Sequence, residues 1–332
     1  MKSHLLKMLL GIILLGTSAC NNKATNFSLP STSQTFGQVV TYNKKVDILF
    51  VIDNSKSMTQ HQQRLSARVP DMISTLNSLG MDYHVAVTTT TMATSSVYPM
   101  TRQIVGMPKY LTSANVNLLS DRIVAGESGS DNERGLDAMA FVTGAYASAQ
   151  APGYLRSDAL FVVIFLADEN DNSTEFGNAD NDDFIKYMNA FRPPFKEGGR
   201  AWMANYIGTI QNQSCDNLGG FVSIGTKYMK LVDASNGIKE SICAADLSSA
   251  VSNIKARIVD VITAYRLKDV PNKSTLKVSV GGVQISEDAV NGWTLETETS
   301  ATKVVYIIKF HGSAIPTGEE AINIDYIPAG AS

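Results

Sequence analysis

The chain is poor in the residues that carry soft-metal and nucleophilic chemistry. Only four histidines and three cysteines (Cys20, Cys215 and Cys243) occur in 332 residues. The histidines are scattered, which excludes a zinc-type cluster. No P-loop, nucleophile elbow or Cys/His pair is written in the sequence, so the usual phosphoryl- and acyl-transfer machinery is missing. Basic residues form no patch or stripe and the net charge is only −3, which argues against a nucleic-acid partner. The apolar run near the N-terminus, Met8 to Leu15, is too short to span a membrane stably.

What is present is a buried-strand pattern that ends in oxygen donors. Val46-Asp47-Ile48-Leu49-Phe50-Val51-Ile52 is almost continuously apolar and rich in β-branched residues. A strand reads this way when both of its faces are covered, as in a parallel sheet flanked by helices. The run stops at Asp53-Asn54-Ser55-Lys56-Ser57-Met58. Ligands in open α/β sheets bind beyond the carboxyl ends of strands. One carboxylate and two hydroxyls (Asp53, Ser55 and Ser57) stand at that point, all hard donors of the kind Mg²⁺, Mn²⁺ and Ca²⁺ prefer. So few charged ligands leave a divalent ion under-neutralised and able to accept one more acid. The structural alternative is that Asp53 caps the helix that follows.

A second strand of the same kind, Leu160 to Ala167, ends in Asp168-Glu169-Asn170-Asp171. Two such strands with helices between them place Asp53 and Asp168 at one edge of one sheet. Glu169 and Asp171 read more readily as a solvated acidic loop. Between the two strands, Gly126 to Leu136 is a Gly/Ser-rich loop that leads into a helix with Met139, Val142 and Tyr146. Ser130 with Glu133 three residues on has the form of a capping box.

The Asp-x-Ser-x-Ser motif after a buried strand, with Asp168 ending the later one, resembles the metal-ion-dependent adhesion site of von Willebrand factor A domains. The resemblance runs from Val46 to Tyr265, about two thirds of the chain. It implies a metal set of Asp53, Ser55 and Ser57 from the first loop and Asp168 from the third. Ser130 stands where the family's second loop has a Thr, with Asp131 or Glu133 as alternatives that would lower the electrophilicity of the ion. It also implies that the ion holds an exposed carboxylate of a protein partner.

The remaining elements follow from periodicity. Leu65, Val69, Met72, Ile73 and Leu76 mark a helix that Pro70 should kink or break. Tyr83 to Thr90 and Trp202 to Ile210 read as strands. Asn181–Phe191, Tyr228–Ala234 and Leu247–Ile262 read as helices. The alternation predicts an α/β fold, a doubly wound and mostly parallel sheet flanked by helices, over 42–268. From 269 to 332 the pattern changes to period-two strands: Thr275–Val280 before Gly281-Gly282, Trp293 after Asn291-Gly292, Val304–Phe310 and Ala321–Tyr326. This predicts a small β-sandwich-like module of about sixty residues, too small for a robust core unless docked.

At the other end, Lys2 and Lys7 precede the apolar run and Gly16-Thr17-Ser18-Ala19 precedes Cys20. Residues 1–19 have the layout of a secretory signal peptide, and Ala19-Cys20 resembles a bacterial lipobox with Thr17 in place of the commoner Leu. A lipidated, palmitate-bearing Cys20 would anchor the chain in the cell envelope. The neutral Asn21 and Asn22 favour the outer membrane, with the periplasmic or the surface face left open. Residues 20–41 read as a flexible tether. In such an oxidising compartment Cys215 and Cys243 are expected to form a disulfide.

These readings converge on a non-enzymatic, envelope-anchored binding or adhesion protein. Two alternatives remain at this point: a metal-dependent hydrolase with Asp168, Glu169 or Asp171 as base, and a structural scaffold with a vestigial metal site.

Overall fold

The computed structural model describes residues 38–40, 44–176, 182–195, 199–212, 215, 223–299, 304–317 and 320–330. The signal segment, Cys20 and most of the tether lie outside these residues. In chain order the elements are β1 (Gln38–Val40), β2 (Lys45–Ile52), α1 (Thr59–Ser66), α2 (Val69–Ser78), β3 (Asp82–Thr89), α3 (Leu119–Ile123) and α4 (Gly135–Phe141). A π-helical turn, Val142–Tyr146, carries α4 into α5 (Ala147–Gln150). There follow β4 (Leu160–Ala167), α6 (Asp182–Phe191), β5 (Trp202–Gly208), α7 (Thr226–Ser235), β6 (Lys239–Ser241) and α8 (Ser248–Ile262). Short strands complete the chain: β7 (Ala264–Arg266), β8 (Lys277–Val280), β9 (Val283–Ile285), β10 (Trp293–Thr299), β11 (Val304–Phe310) and β12 (Ile322–Asp325).

The central sheet has the order β3-β2-β4-β5-β6, and every pair in it is parallel. This is the doubly wound α/β architecture. From β2 the chain winds to β3 on one side and then returns past β2 to β4 on the other. The crevice between the carboxyl ends of β2 and β4 is therefore the topological switch point, where open α/β sheets bind ligands.

The apolar runs are continuous because both faces are covered. Alternate residues of β2 split between two cores, as the period of a strand requires. Val46, Ile48, Phe50 and Ile52 pack with Leu65 of α1, Met72 and Leu76 of α2, and Ile254 and Ile258 of α8. Leu49 and Val51 pack with Leu136 and Met139 of α4, Met188 of α6 and Leu231 of α7. Pro70 lies in the first turn of α2, where a missing N–H is harmless. The expected break falls just before it, between Ser66 and Val69.

The C-terminal strands form two small antiparallel sheets, β1-β12-β8-β9 and β10-β11-β7. Two of their members come from outside 269–332. β7 pairs with β11. β1, within the stretch read as a tether, pairs with β12 as Gln38↔Ile324 and Val40↔Ile322, so the Gln-Val-Val segment supplies an edge strand. Val278, Trp293, Phe310, Ile322 and Tyr326 are buried in the same continuous core as α2 and α8. A module too small for a core of its own thus shares its neighbour's.

Among the described residues no helix is long and apolar enough to cross a membrane. Cys215 and Cys243 are joined in a disulfide with Cα atoms 4.6 Å apart, closing a loop over a separation of 28 residues. Loop closure of that length contributes about 3–4 kcal/mol through the unfolded state. Replacing both cysteines by serine should lower the unfolding free energy by about that amount. Chemical denaturation of the two forms measures it, and equal stability would contradict the assignment of a stabilising role.

Candidate metal centre

β2 and β4 run in register as Ile52↔Leu166. The chain leaves both strands at the same level, and the Asp53 N–H donates to the Leu166 carbonyl at 2.9 Å. Asp53 and Asp168 are thereby brought to one edge, both buried. Three loops meet there, after β2, before α4 and after β4.

The first loop turns on its own acid. The Ser55 N–H donates to Asp53 Oδ1 at 2.9 Å, which leaves Oδ2 facing away. The Ser57 hydroxyl donates to Asp168 Oδ2 at 2.6 Å, linking the first loop to the third. Asp53 Oδ2, Ser55 Oγ and Asp168 Oδ1 are buried with no hydrogen-bond partner. Buried polar atoms are ordinarily paired, so a group of orphans at one point calls for a missing partner. Acid oxygens need a proton or a cation, and hydroxyl and carboxylate oxygens together form a hard donor set. The residues present therefore fit a divalent ion. Among the described residues, no three His, Cys, Asp or Glu side chains are grouped closely enough to hold an ion by themselves. An ion here would lean on hydroxyls and on water as well, as Mg²⁺ commonly does.

The second loop is fixed by polar contacts that sequence reasoning missed. The Thr91 hydroxyl donates to Asn54 Oδ1 at 2.8 Å and accepts from the Ser130 N–H at 3.0 Å. The Gly129 N–H donates to the Asn54 carbonyl at 2.8 Å. The approach at Gly129 is so close that a Cβ there would stand 2.5 Å from Asn54 oxygens. Gln62 of α1 donates from Nε2 to the carbonyls of Asp53 and Gly126 at 2.7 and 2.9 Å. None of these residues carries a recognisable motif. The sole sequence signal was a polar run, Thr88 to Thr91, at the end of a β-branched strand.

Several acids differ from their sequence reading. Asp171 is not solvated. It is buried and accepts from the Leu136 N–H at 3.0 Å, while Ser173 Oγ accepts from the Asp137 N–H at 2.8 Å. The third loop thus caps α4, and the Ser130–Glu133 capping box does not form, because the helix begins later, at Gly135. Ser130 Oγ instead accepts from the Asn132 N–H at 3.1 Å in a local turn. Asp131 is exposed, whereas Glu133 is fully buried and neither of its carboxylate oxygens has a donor. The Thr90 hydroxyl is a further orphan. The third loop is braced from β5, with the Thr209 hydroxyl donating to the Asp168 carbonyl at 2.8 Å.

The electrostatics follow from burial. Desolvation pushes Asp53 up to about 7. The Asp168 carboxylate adds to this and the Ser55 N–H opposes it. Burial raises Asp168 against the Ser57 hydrogen bond. Glu133 is raised by burial and by the charge of Asp53, and Glu169 is raised by burial too.

No family model and no curated protein matches the chain. Among solved structures it is similar to proximal thread matrix protein 1 from the mussel byssus, at 14% sequence identity and a TM-score of 0.40. The match covers 70% of this chain and 51% of that protein, so the chain spans about half the length of the structure it matches. The functional reading therefore rests on the geometry of the site.

With no ion present, the folded chain holds a proton on Asp53 that the unfolded chain has already released between the ordinary Asp range and about 7. Folding stability must then fall as pH rises through that window and stay low above it. In chelator, the unfolding midpoint should drop between about pH 5 and about pH 8, and Asp53→Asn should reduce the drop and raise the midpoint at the higher pH. Thermal denaturation of the two proteins checks this. A midpoint that rises with pH over that range would contradict it.

Proposed function

We propose that this chain is a divalent-cation-dependent binding protein rather than an enzyme. Asp53, Ser55, Ser57 and Asp168 would hold Mg²⁺, or Mn²⁺ or Ca²⁺ in its place. The observation that carries the proposal is the set of orphaned oxygens, Asp53 Oδ2, Ser55 Oγ and Asp168 Oδ1, at the switch point of a parallel sheet. The site lies on loops over a rigid two-sided core, the usual setting for binding residues. In the A domains that the sequence resembles, such an ion holds an acidic group of a protein partner. That mode requires protein ligands that leave the ion under-neutralised. A tethered position in the cell envelope belongs to the same reading, through a lipidated Cys20. Mass spectrometry of the mature N-terminus tests it, and an unmodified Cys20 would sink the anchor.

Binding of an ion only to the folded state stabilises it, by about 2.7 kcal/mol when the free ion is a hundredfold above its dissociation constant. Millimolar Mg²⁺ or Mn²⁺ should raise the unfolding midpoint of the wild type at neutral pH and leave that of Asp53→Ala unchanged. An identical response in both proteins would contradict the site. Metal-dependent turnover of ester, peptide or phosphate substrates that is lost in Asp53→Ala would favour hydrolysis over binding.

A further inference from the structure

Glu133 is a charge that the first and third loops do not account for. The residue is 0% exposed, and no donor reaches either carboxylate oxygen. Its backbone is held on several sides. It forms an antiparallel bridge with Thr91, its carbonyl accepts from the Asn172 N–H at 2.8 Å, and the next residue's N–H donates to the Thr90 carbonyl at 3.0 Å. The backbone at Glu133 is therefore fixed between the Thr90–Thr91 segment and the third loop. The adjacent cation does not serve it, because Arg134 Nε donates to Asp137 Oδ2 at 2.6 Å. The charges that act on Glu133 are those of Asp53 and Glu169, both acids, and the Glu133 and Glu169 carboxyl groups lie within hydrogen-bonding reach of each other. A carboxyl group fixed among carboxylates, with no N–H or hydroxyl donor, is held by a proton shared with Glu169 or, once ionised, by positive charge beside it.

We infer that Glu133 supplies the third carboxylate charge of the cation site through a bridging water, so that the chain neutralises its own ion and recruits no carboxylate from a partner. This inference rests on the cation reading given above. Asp53 and Asp168 alone balance a divalent ion, and Glu133 makes the assembly net negative. Ser130, the neutral hydroxyl at the family-like position, accepts from the Asn132 N–H and would add no charge to the site. The exposed Glu127 and Asp131 on the same loop add to the negative face. A protein partner at this edge would then offer basic or neutral side chains, and affinity for the ion would exceed that of a two-carboxylate site, since ligand charge tunes affinity.

Calorimetric titration of Mn²⁺ into the wild type, Glu133→Gln, Glu133→Asp and Asp53→Asn, with and without acetate as a carboxylate probe, tests the inference. The expected result is wild-type binding that acetate does not change and loss of about 10–100-fold in affinity in Glu133→Gln. Glu133→Asp should recover most of that loss, and acetate should tighten binding in Glu133→Gln. Circular dichroism should show all variants folded; if Glu133→Gln does not fold, the acetate response of the wild type decides alone. Equal affinity in the wild type and Glu133→Gln, with binding abolished in Asp53→Asn, would overturn the inference and leave the cation site standing. So would acetate tightening binding in the wild type. Absence of Mn²⁺ binding in the wild type would overturn the cation reading itself, and the inference with it.

Discussion

Three acids, Asp53, Asp168 and Glu133, are buried at one edge of a parallel sheet with oxygens that no protein donor reaches. Burial of a charge without a partner is among the most destabilising arrangements a fold can hold. Here it recurs within one cluster, where Asp168 makes Asp53 harder to ionise and Asp53 does the same to Glu133. Such an arrangement is sustained by strong surrounding structure together with bound protons or a ligand of opposite charge. Hydroxyls of Ser55 and Ser57 in the same place make a hard divalent ion the natural candidate.

The surrounding structure is the reason the acids can be held. β2 and β4 lie side by side in the middle of the sheet and are packed on both faces. Their ends are fixed in register by the ladder and by the Asp53 N–H to Leu166 bond. The loops above are then tied to one another through backbone and amide groups: Asn54 to Thr91 and Gly129, Gln62 to Gly126, Thr209 to Asp168. Each acid keeps at least one oxygen unpaired while the loops around it are tied together by hydrogen bonds. This division is what a preorganised site requires. The C-terminal sheets extend the core on the side of α2 and α8, away from the α4 face whose capping loop helps to form the site.

The sheet and its switch point were legible because buried parallel strands are written as long apolar runs, and both runs end in an acid. Asp53, Ser55, Ser57 and Asp168 could be read for the same reason. Glu133 could be named only as an alternative, since Ser130 and Glu133 fit a local capping box that the chain does not form. The competing caps, Asp171 and Ser173, are 35 and 36 residues from the N–H groups they accept from, and no local pattern announces a long-range cap. Asp171 reads as solvated in the sequence for the converse reason: acidic loop residues are usually exposed, and its buried helix-capping role depends on the tertiary arrangement. The pairing of β1 with β12 was hidden likewise, because three residues joined to the far end of the chain leave no periodicity to detect.

The central claim is that a divalent ion sits among these oxygens, and it is tested most directly by diffraction from crystals grown with Mn²⁺, using the anomalous signal to locate the ion. The account predicts a peak within bonding distance of Ser55 Oγ, beside Asp53 Oδ2 and Asp168 Oδ1, and its loss in Asp53→Ala crystals. A map from Mn²⁺-saturated crystals with no peak at this edge, or with the ion bound only elsewhere, would contradict it.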